Sequence, residues 1–119
     1  MKQVLWISRH EMTRPQQQDL QRILGGPFTL VQWKENVTDV ESLAPLVEQA
    51  DVIAAVLPTE LLAKLWKLAG EKPLLQAVSG RIPTGKILLL PDGRSEPEYI
   101  FSHKAWQQIL RLEIETRIL

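Results

Sequence analysis

The sequence predicts one α/β domain over residues 1–119, with a mostly parallel sheet, helices on both of its faces and antiparallel strands at its C-terminal edge. Three observations carry that expectation. Val4-Leu5-Trp6-Ile7 and Val52-Ile53-Ala54-Ala55-Val56-Leu57 are apolar runs with no polar face, the pattern of strands covered on both sides. Segments with helical spacing of Leu, Ile and Val follow or separate them. Gly and Pro punctuate the chain at the short intervals that strand–helix alternation requires.

Taken in order, Val4–Ile7 reads as a buried strand that runs straight into polar Ser8-Arg9-His10. Thr13 ahead of Pro15 signals a helix over Pro15–Leu24, with Leu20, Ile23 and Leu24 on one face and Gly25-Gly26-Pro27 as its stop. Phe28–Trp33 alternates loosely, as a shorter strand does. Val40–Gln49 places Val40, Leu43, Leu46 and Val47 on one helical face, with Pro45 set to kink or shorten it. Val52–Leu57 is the expected central strand, closed by Pro58-Thr59. Glu60–Ala69 then forms a helix through Leu61, Leu62, Leu65 and Leu68, ended by Gly70. Pro73–Val78 and Lys86–Leu90 read as two further strands, the second before a Pro91-Asp92-Gly93 turn. Beyond it Tyr99–Phe101 looks extended, and Leu110, Leu112 and Ile114 alternate with Arg111, Glu113 and Glu115 as in a half-exposed antiparallel strand; a helix over Lys104–Leu119 competes. The right-handed crossovers that such alternation implies give a compact, Rossmann-like sandwich.

Composition narrows the partners. Fourteen Lys and Arg balance fourteen Asp and Glu, which argues against long duplex nucleic acid or a membrane surface and requires any polyanion site to be concentrated. With no Cys and only two His, disulfides, zinc ribbons and thiol chemistry are excluded, and neither a metal nor a cofactor is expected. The N-terminal apolar run is too short for a signal peptide or a membrane span, so a cytoplasmic protein is expected. Of the four Trp, Trp6 and Trp66 read as core or interface residues, whereas Trp33 and Trp106, near segment ends, are placed to pack or to stack on a base.

In an open parallel sheet, ligands bind beyond the carboxyl ends of the strands. That rule selects Ser8, Arg9, His10 and Thr13 after the first strand, Pro58, Thr59 and Glu60 after the central one, and Ser79, Gly80 and Arg81 after the next. Two guanidinium groups, an imidazole, several hydroxyls and helix N-termini suit phosphate. An N-capping role alone is the other reading of Thr59, and an edge-strand position that of His103. Gly80-Arg81-Ile82-Pro83-Thr84-Gly85-Lys86 fits seven places of a phosphate-binding loop, but Ile87 stands where Ser or Thr must reach magnesium and a strand follows, so the match is rejected. No glycine-rich dinucleotide turn follows the first strand.

At Ser8-Arg9-His10, Thr13 and Gln16-Gln17-Gln18, and again at Val52–Pro58 with Thr59-Glu60-Leu61-Leu62-Ala63, the sequence resembles small stand-alone CRISPR-associated proteins of the CARF type. These are grouped with the ring nucleases that bind cyclic oligoadenylate second messengers in type III CRISPR defence. The likeness spans residues 2 to about 80. It implies a homodimer whose two-fold axis matches a cyclic tetra-adenylate ring, and metal-independent cleavage in which a ribose 2′-hydroxyl attacks the adjacent phosphorus. Position then makes His10 the general acid, Arg9 and Arg81 phosphate clamps, and Ser8, Thr13 and Thr59 the groups that orient the ribose phosphate. Two alternatives stand beside it. Ile7–Thr13 also looks like the Arg-His-Gly strand end of histidine phosphatases, with His103 as the second His, although Glu11 replaces the glycine and opposes an incoming phosphoryl group. A protein that sequesters the cyclic nucleotide without cleaving it would use the same residues.

Overall fold

The computed structural model describes residues 1–119. Five strands, β1 (Lys2–Ile7), β2 (Phe28–Trp33), β3 (Val52–Ala55), β4 (Leu74–Leu89) and β5 (Ser95–Gln108), form one sheet in the order β2-β1-β3-β4-β5. The β1–β2, β1–β3 and β3–β4 pairs are parallel and β4–β5 is antiparallel. The helices are α1 (Arg14–Leu24), α2 (Ala44–Gln49) and α3 (Thr59–Ala69). None is long and apolar enough to cross a membrane.

The apolar runs become strands because side chains alternate across the sheet and both sides are roofed. Val4 and Trp6 of β1, Val52 and Ala54 of β3 and Leu75 of β4 pack with Leu20 of α1, Met12 and Trp106 on one face. Leu5, Ile7, Ile53, Ala55 and Leu74 pack on the other with Val47 of α2 and Leu62, Leu65 and Ala69 of α3. The expected two-faced arrangement is thus present, with β3 central.

Local signals explain most boundaries. Thr13 caps α1 in a reciprocal box: the Gln16 N–H donates to Thr13 Oγ1 (3.3 Å) and the Thr13 N–H to Gln16 Oε1 (2.8 Å). Gly25 ends the helix at φ +81°, a conformation open to glycine without strain. The single helix expected over Val40–Gln49 is divided into a 3-10 turn at Val40–Leu43 and α2, with Pro45 in the first turn of α2, where its missing N–H is harmless. The central strand, Val52–Ala55, is shorter than expected: the Val56 N–H still donates to the Ile7 carbonyl (2.9 Å), and the chain then turns through Leu57 and Pro58 into α3.

The C-terminal third departs most from expectation. Pro73–Val78 and Lys86–Leu90 are parts of one strand, β4, paired with β5 almost throughout. Past Leu75 β4 has no neighbour on its β3 side, so Pro83 and Gly85 do not break a ladder there; they are absorbed by an irregularity between Pro83 and Ile87. Pro91-Asp92-Gly93 is the hairpin turn. Residues 109–119 are neither strand nor helix. Ile109 and Leu112 rest against the larger core, and the alternation at Leu110, Leu112 and Ile114 has no partner strand to convert it into a ladder.

Candidate functional site

The chain passes from β1 to β2 on one side and then returns to β3 on the other, so the connections diverge between β1 and β3. That is the switch point of the sheet, where an open α/β fold leaves a crevice at its carboxyl edge. A cleft of about 460 Å³ lies there. Ile7, Ser8, Arg9 and His10 form its floor and one wall, residues Glu35–Thr38 after β2 a second, and Val56, Leu57, Pro58 and Leu61 the third.

The Ser8–His10 loop is held by its backbone. The Ser8 N–H donates to the Trp33 carbonyl (3.1 Å), and the His10 N–H donates to Ser8 Oγ (3.1 Å). The Gln32 side-chain amide donates to the Ser8 (3.0 Å) and His10 (2.9 Å) carbonyls, and the Trp6 indole N–H also donates to the His10 carbonyl (2.9 Å). Ser8 is the one buried polar residue of the chain, at 8% exposure, and its O–H remains able to donate. Arg9 and His10 project from this fixed backbone into solvent. Arg9 takes part in none of the ion pairs, which leaves its planar fork available for a phosphate. Pro58 caps α3 without a side-chain hydrogen bond, so the first-turn amides of this helix start at the cleft. Glu35 is the carboxylate on the facing wall. Glu11 is paired loosely with Lys34 (3.6 Å) across the mouths of the two loops.

The cleft therefore gathers Ser8, Arg9, His10 and Pro58 of the residues expected there and leaves out six, among them Glu60, exposed in the first turn of α3. Thr13 is committed to capping α1. Thr59 is the exposed first residue of α3, outside the lining. Ser79, Gly80 and Arg81 do not follow a strand end, because β4 runs on through them; Arg81 lies over the Tyr99 ring, 4.4 Å from its centroid. Sequence reasoning missed Glu35, Asn36, Val37 and Thr38. The same positional rule applied to the end of Phe28–Trp33 finds them once β2 is known to neighbour β1.

His103 stands on the edge strand β5, as expected, but its side chain is buried and not on the surface. Its side chain is 5% exposed, and Nε2 lies 2.8 Å from Asp19 Oδ2 on α1. The hydrogen bond from His103, followed by that from Arg22, holds the Asp19 carboxyl below its ordinary value. Trp106 is buried beside it and donates its indole N–H to the Gln16 carbonyl (3.0 Å), which removes it as a platform for a base. Trp33 is half-buried against the larger core.

Fold and site together define an α/β protein with a crevice at a switch point, lined by one guanidinium, one imidazole and one carboxylate. No protein-family model, curated protein or solved structure matches the chain.

Proposed function

We propose that the protein binds a cyclic oligoadenylate, cyclic tetra-adenylate in the first instance, at the carboxyl ends of β1 and β3 and cleaves it without a resident metal, ending a type III CRISPR signal. The observation that carries this reading is the conjunction of an unpaired Arg9, an exposed His10 and the start of α3 around one cleft. A volume of about 460 Å³ suits part of such a ring, not the whole of it. The reading therefore takes two copies around one ligand, each holding half, with the two-fold axis of the protein on that of the ring.

In this scheme Arg9, the Ser8 hydroxyl and the amides of α3 hold one phosphodiester. The 2′-oxygen forms a bond to phosphorus as its proton passes to solvent water, the phosphorus–O5′ bond breaks with its electron pair going to O5′, and His10 delivers a proton to that departing oxygen. The products are linear, with a 2′,3′-cyclic phosphate at one end and a 5′-hydroxyl at the other. Glu35, across the cleft, is an acceptor for a ribose hydroxyl. Alignment of attacking and leaving oxygens, and charge stabilisation by Arg9, supply the rate.

The imidazole of His10 has no side chain orienting it, which favours sequestration without turnover as the second reading. The phosphatase reading loses its second imidazole, since His103 is engaged by Asp19. Incubating pure protein with cyclic tetra-adenylate in chelator, then resolving bound, free and cleaved material, decides among them. Linear product with a cyclic phosphate end supports cleavage. Retention of intact ring supports sequestration. Neither retention nor product overturns the cyclic-nucleotide reading.

A further inference from the structure

Past Leu75, β4 and β5 leave the body of the sheet as a two-stranded arm on the order of 40 Å long. Isolated ribbons of this kind are marginal in water, and both outer edges of this one carry unpaired backbone groups. Several of its exposed side chains are nevertheless large and apolar. The register places Phe101, Tyr99, Ile87 and Leu89 on one face, with the prolines Pro83 and Pro97 beside them. Phe101 is 76% exposed, Leu89 83%, Ile87 70% and Tyr99 41%. At roughly 200 Å² for a large side chain, these four leave on the order of 500 Å² of apolar surface in water. A patch of that size is at the scale of the largest on a folded chain, where it commonly marks an interaction site.

We propose that this face of the arm is the self-association surface of the protein, and that its occupant is the same face of a second copy, with the two arms antiparallel across a two-fold axis. The area fits: a standard interface takes about 800 Å² from each partner, a little over half of it apolar. So does the layout: the apolar face runs from Phe101 near the base of the arm to Leu89 near its tip, with Tyr99 between them, so an antiparallel pairing lays the base of one face on the tip of the other, the self-complementarity that an isologous contact needs. The arm also leaves the sheet at the edge where the cleft opens, and no β4 residue closes the cleft on that side. A copy gripped by the arm thus stands beside the open mouth. Only this last consequence rests on the two-copy reading of the ligand; the association itself rests on the arm.

The test uses full-length protein without ligand. Sedimentation across a concentration series is expected to show a dimer, and the double variant Phe101→Glu, Leu89→Glu is expected to weaken it at least ~100-fold. Because the chain has no cysteine, a single Tyr99→Cys reports alone: mild oxidation is expected to cross-link it to its counterpart, whereas Gln49→Cys on α2 stays monomeric on a denaturing gel. A monomer throughout the series, a folded double variant that dimerises like the parent, or equal cross-linking at both cysteines overturns the proposal. If the double variant fails to fold, the cysteine pair decides. Measuring cyclic tetra-adenylate retention on the same samples separates the two proposals: a dimer that ignores the ring leaves the arm contact standing, and a chain that is monomeric without ligand yet pairs on the ring and cuts it leaves the ligand reading standing without the arm.

Discussion

Arg9 and His10 are exposed side chains on a backbone tied by five hydrogen bonds, from Ser8, His10, Gln32 twice and Trp6. Substituting either side chain therefore leaves the loop in place and tests chemistry. His10→Ala is expected to slow single-turnover cleavage by ~10²–10⁴ while ring retention survives; an unchanged rate removes His10 from the mechanism. Arg9→Ala is expected to weaken both retention and cleavage, read by titration beside the rate assay. At Asp19 the prediction concerns pH. Its carboxyl sits below its ordinary 3.8, chiefly through His103, so the folded state gains from the ionised form above that value and loses the gain as pH falls through the lowered one. Denaturant midpoints of the parent and Asp19→Asn should differ near neutrality and converge in acid; a gap that is constant with pH contradicts the assignment. The strand-end residues were legible because a buried run stops abruptly at them. The Asp19–His103 pair was not, because 84 residues separate its members and only the β5 position against α1 joins them.

Among the elements, β1, β3 and the ends of α1 follow directly from local chemistry, since two-sided burial and a capping box each write a short pattern. Thr13→Ala should cost about 1 kcal/mol in a denaturant titration, the usual worth of such a cap. Thr59→Ala, at an exposed first-turn position that caps nothing, should fall within ~0.5 kcal/mol of the parent. The arm was illegible for a physical reason. Pro83 and Gly85 are breakers in a strand flanked on both sides, and they lose that force where β4 has a single neighbour. The tail misled in the opposite sense: Leu110, Leu112 and Ile114 keep period two, yet a strand needs a partner, and β5 ends at Gln108.

For the whole molecule, a radius of gyration of 17.4 Å exceeds the ~13–14 Å of a compact chain of this length, as expected for a body that carries the arm and the largely exposed 109–119 segment. Stability should be distributed accordingly. Among the strands, amides of β1 and β3, beneath two cores, are expected to exchange slowest, and those of β4 beyond Val78 fastest in dilute protein, slowing as concentration rises; concentration-independent exchange along the arm would show that nothing covers it. Trp6 joins these regions. Its indole N–H holds the His10 carbonyl at the cleft, while its ring meets Trp106 edge-on, 5.7 Å between centroids at 80°, at the root of the arm. Two coupled chromophores thus stand between the floor of the cleft and the strand that carries the arm, so the near-ultraviolet dichroism of the unlabelled chain is an optical gauge that should shift whenever filling the cleft turns one indole against the other.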